Sequence, residues 1–392
     1  MKISLTNIQA ALGDEKLDGW LLYDFHGSNP IARELVTLGG FVSRRWFCWI
    51  PSHGEMTVIH HTMERDPFAH LQGTHRHFLG WPELDEILHD TLKGAKRIAM
   101  EYSPDNAIPY VARVDAGTVE KLRRWGFEIV SSADLVGQFL ARCTAEQIAG
   151  HRRAAAALME IKDQAFGLIA NAVRGQRSLT EFDVVKFIRA QFAARGLTTD
   201  EGPICAVDAH AGSPHYEPHE TGSAPIKTNQ LVLLDLWAKE KKQDAVYGDI
   251  TWMAYAGSSV PDKMAKVFDI VSRARDRAVS FLNGQFADGI IPKGCDTDDA
   301  VRSVISEAGY GEYFIHRTGH SIGTDVHGVG TCIDNLETND QRRLLEGMLF
   351  SIEPGIYLKE FGVRSEIDVL IENSRAVVTT LPLQTAITPL LP

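Results

Sequence analysis

The segment Gln230–Trp252, QLVLLDLWAKEKKQDAVYGDITW, sets an aspartate inside each of two apolar, strand-like runs. Asp235 interrupts the first and Asp249 the second. An acidic side chain in such a run is costly unless something compensates its charge. The intervening KEKKQDA is polar enough to turn. The reading is a hairpin folded about Lys242 that sets Asp235 opposite Asp249. Directly paired residues have Cβ atoms roughly 5 Å apart, so a cation between the two charges is the natural remedy. Two solvent-facing edge aspartates would account for this segment, taken alone, equally well.

The same pattern recurs downstream. In SIEPGIYLKEFGVRSEIDVLI (351–371), Glu353 and Glu366 again interrupt apolar runs. The midpoint between them falls between Lys359 and Glu360, just before Phe361 and Gly362. A second hairpin would bring the two glutamates face to face. Four carboxylates in one sheet do not stay ionised without cations. Between the hairpins lies HRTGHSIGTDVHG (316–328), with three histidines and three glycines in thirteen residues. Carboxylates joined by a single imidazole form a mostly hard ligand set. Two divalent ions sharing bridging carboxylates fit it, Mn²⁺ or Co²⁺ better than a thiolate-type zinc site. Spacing alone leaves the choice of histidine open. His320, beside Gly319 and close to Gly323, is the one around which backbone would pack most tightly; the bland alternative is a core or surface histidine.

The surrounding chain bounds the answer. Its 392 residues favour two domains. A net charge of −11 disfavours broad nucleic-acid binding, which needs a basic face. The five cysteines, at 48, 143, 205, 295 and 332, form no CxxC pair and read as reduced thiols in a cytoplasmic protein. The first twenty residues read as a structured amphipathic segment and not a signal peptide. No apolar run is long enough to span a membrane.

Residues 1–142 read as a mixed α/β domain. DGWLLYD (18–24), FVSRRWFCWI (41–50), EMTVIHH (55–61), KRIAMEY and FEIVSS are strand-like, and PELDEILHDTLKG (82–94) has helical spacing. A further helical stretch runs from Asn106 to Gly126, broken near Pro109 and Gly117. From residue 143 the texture changes to long helices and antiparallel strands, an α+β domain over 143–392. Thr144 and Gln147 stand in capping-box spacing before a helix of nearly thirty residues, and Ser178 with Glu181 suggests a second box.

Six segments, in order, resemble the M24 metallopeptidase family of the pita-bread fold: methionine aminopeptidases, proline aminopeptidases and prolidases. They are PHYEP (214–218), LLDLWA (233–238), YGDITW (247–252), HRTGHSIGTDVHG (316–328), FSIEPGIY (350–357) and GVRSE (362–366). The resemblance covers roughly 143–392. The N-terminal half is similar, more vaguely, to the extra domain of prolidases and creatinases. The resemblance implies that Asp235 chelates one metal ion and that Asp249 and Glu366 bridge two. It implies that His320 and Glu353 hold the second ion, and that a hydroxide between the ions attacks the scissile carbonyl. Glu353 would accept a proton. His215 and His327 would contact the substrate, His316 would face the leaving side where proline binds, and Arg364 would orient carboxylates.

The implied function is an exopeptidase, an Xaa-Pro dipeptidase or aminopeptidase. It would act on small peptides with proline second and carry two divalent ions, Mn²⁺ foremost with Co²⁺ or Zn²⁺ as alternatives. A cytoplasmic homodimer without nucleic-acid or membrane partners is expected. Three departures from the family pattern bear on the pocket: Trp237 where glycine is usual, Trp252 where arginine is usual, and Gly328 where an acidic residue is common. His219 reads as a loop residue. Two other readings stand beside this one. One is a metal-dependent hydrolase of C–N bonds in small molecules, of the creatinase or ectoine type. The other is a non-catalytic peptide-binding module.

Overall fold

The computed structural model describes residues 3–391. They fall into two compact units, Met1–Leu140 and Ala141–Pro392.

In the first unit, α1 (Leu5–Asp14), β1 (Gly19–Asp24), α2 (Pro30–Leu35), β2 (Trp46–Pro51), β3 (Thr57–His61) and β4 (Thr74–Phe78) come first. Then follow α3 (Trp81–Thr91), β5 (Arg97–Met100), α4 (Ala116–Arg124), β6 (Glu128–Ser131) and α5 (Ala133–Leu140). The six strands make one mixed sheet in the order β4-β3-β2-β1-β5-β6. Leu84 and Leu88 of α3 and Val119 and Leu122 of α4 pack on it, each at helical spacing. Two readings need correction. The strand expected over 41–50 begins only at Trp46. The helix expected from Asn106 begins at Ala116, where Asp115 accepts from the Thr118 amide as N-cap. Upstream, Pro104 and Pro109 each start a short 3₁₀ turn instead, since proline fixes φ but cannot continue a helical ladder.

The second unit opens with α6 (Ala145–Arg174), capped by the reciprocal Thr144–Gln147 box, and α7 (Glu181–Ala194). Next come β7 (Leu197–Thr198), β8 (Ile204–Val207), β9 (Leu231–Glu240) and β10 (Gly248–Tyr255). Helices α8 (Asp262–Ala287) and α9 (Gly294–Glu307) precede β11 (Ser321–Ile322), β12 (Leu349–Ile352), β13 (Gly355–Tyr357) and β14 (Gly362–Arg364). Strands β15 (Ile367–Ile371), β16 (Ala376–Val378) and β17 (Thr388–Pro389) finish it. The box at α7 is Thr180 with Asp183, not Ser178 with Glu181. Glu181 is instead fully buried and employed elsewhere.

The hairpin β9–β10 is covered on both faces. Val232, Leu234 and Leu236 alternate into the core beneath α6 and α7. Leu231, Leu233, Met253 and Tyr255 enter the core shared with α8, α9, β12 and β15. Asp235 and Asp249 follow the second set in the period-two alternation, so they face the second hairpin. Their register differs from expectation: Asp235 pairs with Thr251 and Asp249 with Trp237. The turn centres on Gln243, and Asp244 at its tip takes φ +58°, a left-handed conformation that aspartate tolerates. A two-residue shift in pairing keeps both aspartates on one face, as diagonal neighbours and not as a direct pair. In the second hairpin, the partners Ile352–Ile367 and Gly355–Arg364 share one register on either side of the break at Glu353–Pro354. Glu353 and Glu366 therefore fall opposite each other.

Candidate metal centre

All nine residues singled out from sequence line one cleft of about 510 Å³: Asp235, Asp249, His320, Glu353, Glu366, His215, His316, His327 and Arg364. The two hairpins supply the carboxylates. His320 is brought in by the loop before β11, whose amide donates to Ser351 Oγ on β12 at 3.0 Å. Here the neighbouring glycine has a reason: a Cβ on Gly319 would lie 2.0 Å from the Ser351 carbonyl oxygen. Only hydrogen fits, so His320 can be drawn against the strand.

His320 Nδ1 lies 3.3 Å from the Ser321 carbonyl, to which it can only donate. That fixes the tautomer and leaves Nε2 a lone pair. This atom points at Glu353 Oε1, 3.4 Å away, and Asp249 Oδ2, 3.6 Å away. Ligand atoms of Asp249, His320 and Glu366 all lie within 4.8 Å of one another. Asp249 Oδ1 is buried with no hydrogen-bond partner.

The electrostatics agree with the geometry. Burial, then the charges of Glu366 and Asp235, push the Asp249 carboxyl far above its usual range. Burial and the charges of Glu353 and Asp235 do the same to Glu366. Burial lifts Glu353 to about 7, against the pull of Arg364. Burial raises Asp235 as well, again opposed by Arg364. His320 is driven well below its ordinary value by burial and by His327. Such a cluster holds protons or cations at neutral pH. One lone-pair imidazole, four crowded carboxylates and an orphaned oxygen are the donor set that divalent ions require, and the residues fit that role.

Arg364 organises one side. Its guanidinium pairs with Asp235 Oδ2, and its Nε donates to Thr251 Oγ1 at 2.9 Å. Thr251 donates in turn to Glu366 Oε2 at 2.8 Å. Its Nη1 also reaches the Tyr357 hydroxyl at 3.4 Å, and that hydroxyl donates to His316 Nε2 at 2.7 Å. His316 Nδ1 donates to the Arg317 carbonyl. Both ring nitrogens of His316 are thus engaged within the protein. His327 stacks edge-on against His320 with ring centroids 4.4 Å apart. His215 and His327 are exposed at the cleft wall.

Four residues escaped the sequence reading. Thr251 and Tyr357 carried no signal beyond β-propensity. Asp368 did: it stands two residues after Glu366, on the same strand face, and its carboxylate accepts the Asp249 amide at 2.9 Å. Glu181 was misread as a cap. Its buried carboxylate accepts from the amides of Val207 and Ala224 at 2.8 and 2.9 Å, from His210 Nδ1 at 2.9 Å and from the Tyr216 hydroxyl at 2.5 Å. These contacts fix the long connection between β8 and β9 that carries His215. Trp237 stands beside Asp235 and opposite Asp249. Gly202 (φ +62°) makes room for its indole, which would lie 2.3 Å from a Cβ there.

Comparison with known proteins agrees with this architecture. A Xaa-Pro dipeptidase of Lactobacillus delbrueckii subsp. lactis is 33% identical over 216 residues, 53% of this chain and 52% of that protein. The putative dipeptidase YkvY of Bacillus subtilis is 29% identical over 217 residues, 55% of each. The chain thus spans about half the length of the curated relatives it matches. Among solved structures, dipeptidase PepE from Mycobacterium ulcerans superposes with a TM-score of 0.71 at 21% identity, covering 98% of this chain and 97% of that one. Xaa-Pro dipeptidase from Bacillus anthracis gives 0.62 at 24% identity, covering 98% and 99%. These likenesses carry the fold, which is the pita-bread architecture expected from sequence. The model of the metallopeptidase family M24 matches residues 149–373. The chain belongs to metallopeptidase family M24.

Proposed function

We propose that the protein is a dinuclear metal-dependent exopeptidase that cleaves the bond between an N-terminal residue and a following proline. The observation that carries this reading is the convergence of Asp235, Asp249, His320, Glu353 and Glu366 on one cleft, with Asp249 Oδ1 left without a hydrogen-bond partner. In it, Asp235, Asp249, His320, Glu353 and Glu366 would hold two divalent ions, Asp235 on the side of the first, His320 and Glu353 on the side of the second, with Asp249 and Glu366 shared between them. Mn²⁺ suits so oxygen-rich a set, and Co²⁺ or Zn²⁺ would fit the same donors. Two such ions lower the pKa of a bound water towards neutrality and polarise the scissile carbonyl.

The chain's own groups do the rest. Glu353, whose Oε1 lies 3.4 Å from His320 Nε2, accepts the proton of the attacking water and returns it to the departing proline nitrogen. His215 and His327, at the exposed wall, donate to the substrate oxygen. His316 keeps both nitrogens on protein partners and offers its ring to the pyrrolidine. Arg364 holds Asp235 in place through their ion pair. The first unit serves as the extra domain of prolidase-type enzymes, over residues 1–142 with the catalytic domain from 143. The active species is a cytoplasmic homodimer; five free cysteines suit a reducing compartment.

The test is to strip metal with a chelator, restore Mn²⁺, and assay Xaa-Pro dipeptides, longer Xaa-Pro peptides and small amides. Turnover of Xaa-Pro substrates that follows the metal supports the reading, and the ratio of dipeptide to longer-peptide rates separates dipeptidase from aminopeptidase. Turnover of small amides alone would transfer the site to the C–N hydrolase class. Peptide binding without turnover would make it a recognition module.

A further inference from the structure

The first unit holds a second group of metal-type donors. His60 lies on β3 and His75 and His77 on β4. The strands are parallel, with His60 in register with His77 and Val58 with His75. His75 and His77 are two apart on one strand, so they share a face, and His60 is the direct neighbour of His77 on that face. Three imidazoles therefore stand together on one side of the sheet. The ring centroids of His60 lie 4.5 Å from His77 and 5.6 Å from His75. Phe68 covers the other side of His60, stacked at 4.8 Å.

Their hydrogen bonds do not close. His75 Nε2 lies 3.0 Å from the Leu71 carbonyl, so Nε2 carries the proton and Nδ1 is a lone pair. That lone pair faces His60 Nε2 at 3.4 Å. His60 Nδ1 in turn faces the His61 carbonyl at 3.3 Å. A neutral His60 protonated on Nδ1 satisfies the carbonyl but sets two lone pairs against each other. Protonated on Nε2, it satisfies His75 but sets a lone pair against the carbonyl. Only a doubly protonated ring or a cation meets both contacts. Burial above all disfavours the doubly protonated ring. His77 Nδ1 is also buried with no partner.

We propose that His60 and His75 form a site for a borderline divalent cation of the Zn²⁺ type, held through His60 Nε2 and His75 Nδ1; solvent completes the shell, and His77, whose nitrogens stand outside ligand reach of that pair here, becomes a third ligand by rotating its unpartnered ring towards it. Neutral imidazole suits Zn²⁺, Cu²⁺ or Ni²⁺, whereas the carboxylate-rich cleft favours Mn²⁺. The charge of Arg65, which is exposed, is screened by solvent. His60 is buried, while the half-buried His75 and His77 leave the cation a route from water, and bound metal removes the clash between the facing lone pairs.

The test uses the full chain with Zn²⁺ alone as probe. Equilibrium dialysis and elemental analysis on wild type and on His75→Gln/His77→Gln should show a loss of about one equivalent of Zn²⁺ per chain. Mn²⁺-supported turnover should not change, because neither residue lines the cleft. Should the double variant fold poorly, Cu²⁺ electron paramagnetic resonance on wild type reads the same point. The catalytic cleft holds His320 with His327 against it, so the same spectrum is taken on His320→Ala/His327→Ala, and a signal split by two or three imidazole nitrogens that persists there reports the new site. Unchanged Zn²⁺ stoichiometry in the folded variant, or copper signals from single-nitrogen sites only, would overturn the proposal. So would a His60 imidazolium detected by nitrogen NMR at neutral pH.

Discussion

Both units bury carboxylates in their sheets, and they treat them oppositely. In the first, Glu101 is fully buried yet accepts from Trp20 Nε1 at 2.6 Å, Asn29 Nδ2 at 2.7 Å and Ser132 Oγ at 3.0 Å. Burial raises its pKa, and those donors pull it back down. In the second, Asp249 keeps an oxygen with no donor and is surrounded by Glu366, Asp235, Asp368 and Glu353. Neither site is explained by burial alone. What separates a structural carboxylate from a ligand is whether the fold supplies hydrogen-bond donors or more negative charge.

The contrast can be broken by substitution. Asp249→Asn or Glu366→Gln should lower kcat/KM on an Xaa-Pro dipeptide by about 10³-fold or more, roughly 4 kcal/mol of transition-state stabilisation. The same change should raise the melting temperature of the chelated protein, because it removes a carboxyl that folding forces to take up a proton. A lower melting temperature in chelator would show that Asp249 is as well satisfied as Glu101. Glu101→Ala should behave in reverse. It leaves three donors unpaired, and urea titration should register a loss of about 3 kcal/mol with or without Mn²⁺.

Metal addition sharpens the comparison further. At about 100 times its Kd, Mn²⁺ should stabilise the wild type by about 2.7 kcal/mol. Calorimetry should find that gain kept in Glu101→Ala and lost in Asp249→Asn. A further effect is one of pH. His151, buried in α6, donates from Nδ1 to the Tyr247 carbonyl at 2.7 Å, and burial depresses it from 6.5 to about 4. A depressed folded-state pKa gives stability that is complete above 6.5 and is lost as pH falls towards 4. The slope from this group is at most about 1.4 kcal/mol per pH unit. Urea midpoints between pH 7 and 4 should fall less steeply in His151→Gln.

Much of the site was legible because its ligands break a rule. Asp235, Asp249, Glu353 and Glu366 are charges inside apolar runs, and the midpoint between the two glutamates located their turn. The first turn was displaced by one residue, because the sequence KEKKQDA does not advertise that Asp244 would adopt a left-handed conformation. The α7 cap was misplaced for a related reason: Ser178/Glu181 and Thr180/Asp183 have the same spacing, and only tertiary structure shows that Glu181 is required in the interior. Tyr357 and Thr251 look like ordinary strand residues; their roles arise from Arg364, which reaches them across separate strands. In the first unit, Pro109 was visible as a breaker, but the delayed start of α4 depended on Asp115 being free to cap.

The Glu181 carboxylate holds Val207 at one end of the β8–β9 connection and Ala224 near the other. Residues between those anchors can therefore be exchanged as a cassette, provided that His210 and Tyr216 keep their grip on it. Grafting 213–215 and 217–222 from a paralogue, with Tyr216 retained and with Ala211 and Gly212 kept where they pack on Leu358 and Gly362 of the second hairpin, offers a route to altered substrate choice that leaves the metal-binding carboxylates in place.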